Sequence, residues 1–109
     1  MSDSTLRLTT AQAIIKYLTN QFIMIDVEKT RICGGGFGIF GHGNVSCLGE
    51  ALYNAQDALP LYRGQNEQSM GFAAAGYAKY HLRRRFMFCT ASAGPGTANL
   101  LTSAGLAHA

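Results

Sequence analysis

The chain has 109 residues, 48% of them hydrophobic and 14% charged, and carries a formal net charge of +3. This is the composition of a globular domain, and it excludes a disordered or fibrous segment. A chain of this length holds one core and covers only about two thirds of its unfolded surface, so an apolar face is expected to meet more chain or a partner.

The positive charge gathers in one run, His81-Leu82-Arg83-Arg84-Arg85. No aromatic platform or DNA-reading motif accompanies it, so nucleic acid is not an expected partner. Cys33, Cys47 and Cys89 are spaced neither as a disulfide framework nor as a metal knuckle and read as small apolar residues. His42, His81 and His108 form no ligand pair, and no metal site is expected on the chain. Met1 to Arg7 lacks the basic-then-apolar order of a signal peptide. The longest apolar run, Gly71 to Ala78, is less than half of the roughly 20 residues a bilayer requires. A cytoplasmic protein without a membrane partner is the expectation.

In chain order, Thr9 and Gln12 form a capping box, and Ala11, Ile14, Ile15, Leu18 and Phe22 recur at helical spacing, which predicts a helix from about Thr10 to Gln21. Ile23 to Arg31 mixes apolar and charged residues without a period and reads as loop. Gly38-Ile39-Phe40-Gly41 suits a buried strand, and Asn44 suits the cap of a helix carrying Val45, Leu48, Ala51 and Leu52. Leu59 to Tyr62 is a short extended piece. Asn66 then caps a predicted helix from Glu67 to about His81, with Met70, Ala73, Ala74 and Tyr77 on one face. Phe86 to Thr90, apolar in both alternating registers, is the plainest strand and fits the interior of a parallel sheet. Ser92 to Thr97 turns into a last helix from Ala98 to about Ala107.

Strands alternating with helices predict an α/β layer structure with a parallel sheet flanked by helices. Ligands of such sheets bind at the carboxyl ends of the strands, where Gly41 to Asn44, Gly64 to Glu67 and Ala91 to Gly96 would lie. Because the chain ends in a helix with no closing strand, the domain reads as incomplete at its C-terminal end.

Gly36-Phe37-Gly38-Ile39-Phe40-Gly41 is a literal G-x-G-x-x-G. A dinucleotide fingerprint must follow a strand and open a helix, whereas here the apolar strand lies inside the match, so the motif carries no nucleotide reading. Glu67, at the first position of an alanine-rich helix, has two readings. An acid there complements the helix dipole; a carboxylate at a strand-end loop can also hold or share a proton with a ligand.

Three stretches, in order along the chain, bear on that choice. Glu67 is followed nine positions later by Gly76-Tyr77-Ala78; Phe40-Gly41-His42-Gly43-Asn44 forms a strand-turn; and Ser92-Ala93-Gly94-Pro95-Gly96-Thr97-Ala98-Asn99 has the form S-x-G-P-G-x-x-N. Together they resemble the pyrimidine-binding, N-terminal domain of thiamine-diphosphate-dependent enzymes, a flavodoxin-like α/β fold. Adding Gly64-Gln65-Asn66-Glu67-Gln68 and Leu82-Arg83-Arg84, the chain looks most like the branch that hydrolyses trihydroxycyclohexanedione in inositol catabolism. The glycine-rich stretch Ile32 to Gly36 departs from the ordinary loop expected at that place.

The resemblance implies that the whole chain, 1–109, is such a domain, part of an enzyme that cleaves a C–C bond of a small cyclic dione. It implies that Glu67 hydrogen-bonds a ring nitrogen of the cofactor's aminopyrimidine and so helps remove the proton from thiazolium carbon two, and that Gly76 allows close packing. His42, between Gly41 and Gly43, would point toward the thiazolium and move protons on the substrate; a turn histidine facing solvent is an equal reading. Gly43, Ser92, Gly94 and Pro95 would lie close to the cofactor, small residues letting the backbone approach a flat ring. Magnesium and the diphosphate would be held by a G-D-G…N motif of a separate C-terminal domain, and no Gly-Asp-Gly occurs here. The cofactor would lie between two subunits of a homodimer or homotetramer, leaving this chain with half a site and no activity of its own. The alternatives are another branch, of acetohydroxyacid synthase or 2-oxoacid decarboxylase type, and a stand-alone, non-catalytic binding module.

Overall fold

The computed structural model describes residues 4–109. Thr9 opens the first helix, α1 (Thr10–Thr19), as a reciprocal cap: its hydroxyl accepts from the Gln12 amide, and its own N–H donates to the Gln12 side chain. The buried stripe of α1 is narrower than its apolar periodicity. Ile15 is buried, whereas Ile14 remains 49% exposed.

Two strands follow where a loop is predicted. β1 (Phe22–Ile25) and β2 (Glu28–Arg31) form an antiparallel hairpin in a sheet of their own, turning through Asp26 at φ 56°. Arg31, the last residue of the hairpin, fastens it to the rest of the fold. Its Nε donates to the Thr19 carbonyl at 2.9 Å, at the end of α1, and its Nη1 to the Ala58 carbonyl at 3.3 Å, while its own carbonyl accepts from Arg85 Nε at 2.9 Å. The planar guanidinium presents these donors from two separate nitrogens held in fixed geometry, whereas an ammonium has one nitrogen. Arg31→Met is therefore expected to lower unfolding free energy by about 1–3 kcal/mol; urea denaturation measures it, and an unchanged midpoint would show that the fork is dispensable.

The main sheet is parallel and has three strands in the order β4 (Leu61–Arg63), β3 (Cys33–Gly38), β5 (Phe86–Thr90). Its central strand is the glycine-rich stretch itself, so the strand predicted at Gly38 to Gly41 is displaced toward the C-terminus: β3 ends at Gly38, and Ile39 and Phe40 leave the sheet. The reason is crowding on both sides of the strand. A Cβ at Gly34 would run into the Tyr77 ring, and one at Gly36 into the Phe88 ring. Between them the register shifts, with Cys33 opposite Phe86 and Gly36 opposite Phe88, a bulge that places an extra residue on β3. Gly35 takes this bulge at φ +126°, and the adjacent Gly36 N–H donates to the Pro60 carbonyl at 3.0 Å.

Helices cover both faces, as an α/β layer fold requires. On one face Ile15 of α1 packs with Ala51 and Leu52 of α2 (Leu48–Asn54), and with Cys33 and Leu59; Phe40, Leu61 and Phe88 close around them. On the other face lie α3 (Glu67–Tyr80) and α5 (Leu101–His108), against Met87 and Cys89. Phe88 and its two neighbours thus point to opposite layers, as alternation along a strand demands. Burial raises the thiol pKa of both Cys33 and Cys89, and all three cysteines are free thiols.

The buried side of α3 carries Met70, Gly71, Ala74, Ala75 and Tyr77, while Ala73 is exposed. The close approach of α3 to α5 falls on Gly71, where a Cβ would run into the buried Ser103 side chain. Gly76 is exposed, with nothing within 4 Å of an added Cβ, so the close packing expected of it is not made within this chain. The last helix is also interrupted. A short turn of helix, α4 (Pro95–Ala98), ends at Asn99 before α5 begins at Leu101.

Candidate active site

Because β3, β4 and β5 run parallel, the segments after Gly38, Arg63 and Thr90 all emerge on one edge. Two of them form a cleft of about 670 Å³, lined by Gly41, His42, Gly43 and Asn44 from the first and by Ala91, Ser92, Ala93 and Thr97 from the third. The G-x-G-x-x-G match runs off the end of β3 into this first loop, and no helix opens until Leu48.

Asn44 binds the two loops together. Its Oδ1 accepts from the Gly41 N–H at 3.0 Å, and its Nδ2 donates to the Ala91 carbonyl at 3.2 Å and Thr90 Oγ1 at 3.4 Å. The side chain expected to cap α2 is therefore engaged across the cleft floor, and α2 starts at Leu48 with no side-chain cap. Gly41 is pressed against the opposite loop, where a Cβ would come within 2.5 Å of Ser92 Cβ. Only glycine permits that approach.

His42 and Gly43 are exposed on the rim, and Ser92 is half-buried in the wall. The Ser92 carbonyl accepts from Thr97 Oγ1 at 2.8 Å and from the Thr97 N–H at 3.0 Å, which folds Ala93 to Gly96 into a tight turn. Gly94 stands at φ +75° in that turn with open space around it, and Pro95 supplies the first residue of α4. Both are exposed and neither lines the cleft, so the structure brings Gly43, His42 and Ser92 together and leaves Gly94 and Pro95 on the outer side of the turn.

Glu67 comes from the second loop. Asn66, in extended backbone, caps α3 by accepting from the Ser69 N–H at 3.2 Å, and this sets Glu67 as the first helical residue. Its carboxylate does not line the cleft; it stands behind Gly96. A Cβ on Gly96 would lie 2.5 Å from Ser92 Oγ and 3.2 Å from Glu67 Oε1, so the absence of a side chain at this buried glycine is what lets the carboxylate stand close behind the cleft wall. Oε2 of Glu67 accepts from Asn99 Nδ2 at 3.0 Å. That bond, with help from the Glu67 backbone N–H, holds the carboxyl below the usual glutamate range. The stabilisation is full above the ordinary carboxylate range and is lost as pH falls through the lowered value.

Asn99 and Gly96 are the site residues that the sequence alone gives no role. Both stand in the S-x-G-P-G-x-x-N stretch, but their partner Glu67 is about thirty residues away, and only the fold shows the pairing.

Residues 34–109 match the family described as "Thiamine pyrophosphate enzyme, N-terminal TPP binding domain". This chain belongs to that family. The thiamine pyrophosphate domain so identified is 50% identical over 109 residues to the 3D-(3,5/4)-trihydroxycyclohexane-1,2-dione hydrolase of Listeria monocytogenes serotype 4b (strain F2365). It is likewise 50% identical over 106 residues to the hydrolase of that name from Geobacillus thermodenitrificans (strain NG80-2), and 50% identical over 105 residues to the hydrolase numbered 2 from a strain of Bacillus cereus. These alignments cover 100%, 97% and 96% of this chain but 17%, 17% and 16% of the relatives, so the chain spans about a sixth of their length.

The residues present fit the ring end of thiamine diphosphate. A wall of glycine, alanine and serine lets a flat aminopyrimidine lie close to the backbone, and the Glu67 carboxylate stands just behind that wall, next to Gly96 and Ser92. Among the described residues no three of His, Cys, Asp and Glu come together as a metal site, and no helix is long and apolar enough to cross a membrane.

Proposed function

We propose that this domain binds the aminopyrimidine of thiamine diphosphate in an enzyme that hydrolyses a C–C bond of 3D-(3,5/4)-trihydroxycyclohexane-1,2-dione, a step of myo-inositol catabolism. The observation that carries it is the Glu67 carboxylate, fixed at the start of α3 and held by Asn99 close behind the cleft wall at Gly96. The named relatives, 50% identical over 96–100% of this chain, support the substrate assignment.

When bound, the cofactor supplies a carbon nucleophile that no side chain offers. Glu67 holds a proton at the pyrimidine ring nitrogen and orients the ring. Ser92 and the Gly41 backbone form the flat wall, excluding water from one side. His42, on the rim, moves a proton on the substrate oxygen; its exposure here fits a group that is covered only when another part of the enzyme closes over it. Magnesium and the diphosphate are held by a second domain, in a cytoplasmic homodimer or homotetramer, so that this chain by itself does not turn over.

The test is a substrate panel on the enzyme to which this chain contributes its N-terminal part. Ring opening of the cyclic dione that requires thiamine diphosphate and magnesium is the expected result. Turnover of pyruvate in its place would move the enzyme to the synthase or decarboxylase branch, and turnover of neither, with no cofactor binding, would leave a non-catalytic module.

A further inference from the structure

Glu67 presents two carboxylate oxygens that are not equivalent. Oε2 is taken by Asn99 Nδ2 at 3.0 Å, and Oε1 lies close to Gly96, 3.2 Å from where a Cβ would stand. The Asn99 side chain reaches Glu67 where the helix is interrupted: its backbone N–H donates to the Pro95 carbonyl to finish α4, and α5 starts two residues later. Core packing does not account for the residue at this break, since Asn99 is exposed and contributes nothing to the core.

From this we infer that Asn99 is a positioning residue: by occupying Oε2 it fixes the rotamer of Glu67 and leaves Oε1 as the oxygen available to the ligand. The inference rests on the cofactor reading of Glu67 but is separable from it. Asn is suited to the task because its amide donates one directed hydrogen bond without carrying a charge that would compete for the proton. An aspartate of the same shape would accept instead of donate and repel the carboxylate.

Two measurements test it, on Asn99→Ala and on the isosteric Asn99→Asp. The first is the titration of the Glu67 side-chain carboxyl by carbon NMR in the protein. Its midpoint is expected to rise in Asn99→Ala and to rise further in Asn99→Asp. The second is deuterium exchange at thiazolium carbon two in the loaded enzyme, expected to fall about 10²-fold in Asn99→Ala, the cost of a misplaced reacting group. In a Glu67→Gln background the same substitution should cost nothing further, because its effect passes through the carboxylate. An unmoved carboxyl midpoint, or an equal loss of exchange in both backgrounds, overturns the proposal. If Glu67→Gln alone leaves exchange unchanged, the cofactor reading fails, while the carboxyl titration still decides whether Asn99 holds Glu67.

Discussion

Glu67→Gln is expected to slow deuterium exchange at thiazolium carbon two by about 10²–10⁴, the usual loss when a positioned acid or base is removed, with almost no change in melting temperature. The asymmetry follows from the geometry. A glutamine oxygen can still accept from Asn99 at the same place, and Asn66 still caps α3 through Ser69, so the helix start survives. What the amide cannot do is hold and release a proton at the pyrimidine nitrogen. The partial exposure of Glu67 in this chain points the same way: little folding stability depends on a carboxylate that water can reach. Exchange on the holoenzyme, beside thermal melts of both proteins, separates the roles. A lowered melting temperature with exchange intact would make Glu67 a helix-end residue and remove the basis of the proposed function.

Gly35→Ala should be the most destabilising methyl addition in the main sheet, lowering unfolding free energy by about 2–6 kcal/mol. Two costs combine. A φ of +126° is open to glycine and strained for any residue with a Cβ, worth about 1–3 kcal/mol. The added methyl would also run into the Pro60 carbonyl oxygen, which is backbone and cannot swing aside, and over-packing of this kind costs about 1–3 kcal/mol more. Retreat of Pro60 would break its bond to the Gly36 N–H, on the border between β3 and β4. Gly105→Ala serves as the control: it lies in α5 with nothing within 4 Å, and there alanine is expected to stabilise by about 0.5–1 kcal/mol. Urea unfolding of the two variants should therefore shift in opposite directions; a Gly35→Ala midpoint equal to wild type would mean that the bulge relaxes freely.

The parts of this fold that are legible in the sequence are those whose signal is local. Thr9 with Gln12, and Asn66 before Glu67, cap helices through contacts three residues away, and both caps form as expected. Phe86 to Thr90 carries its own strand pattern, and the strand forms in a parallel sheet, but at its edge and not in the interior position expected of it, which the glycine-rich β3 takes. The hairpin escapes a reading of the sequence because β1 is apolar at its exposed positions, Phe22 and Met24, as well as at its half-buried ones, while β2 is largely charged, so neither sequence alternates between apolar and polar. β3 is misplaced for a different reason: its defining residues are glycines, whose meaning depends on Tyr77, Phe88 and Pro60, all remote in sequence. The site divides in the same way. The motifs place His42, Gly43 and Ser92 together, and one cleft gathers them, yet they also group Gly94 and Pro95 with these residues although the turn carries both outward. Asn44 and Asn99 are visible as motif letters, but their partners, 46 or 47 and 32 residues away, are not.

The glycines of β3 give the middle of the sheet an unusual dependence. At Gly34 and Gly36 the volume that a strand would ordinarily fill with its own side chains is filled by rings borrowed from α3 and β5. Size at these places is thus a shared quantity: position 36 can grow only where position 88 shrinks, and position 34 only where position 77 does. Substitutions among relatives should accordingly be found in compensating pairs here, and a single change that looks conservative by hydrophobicity would be read by the fold as a change in spacing between layers.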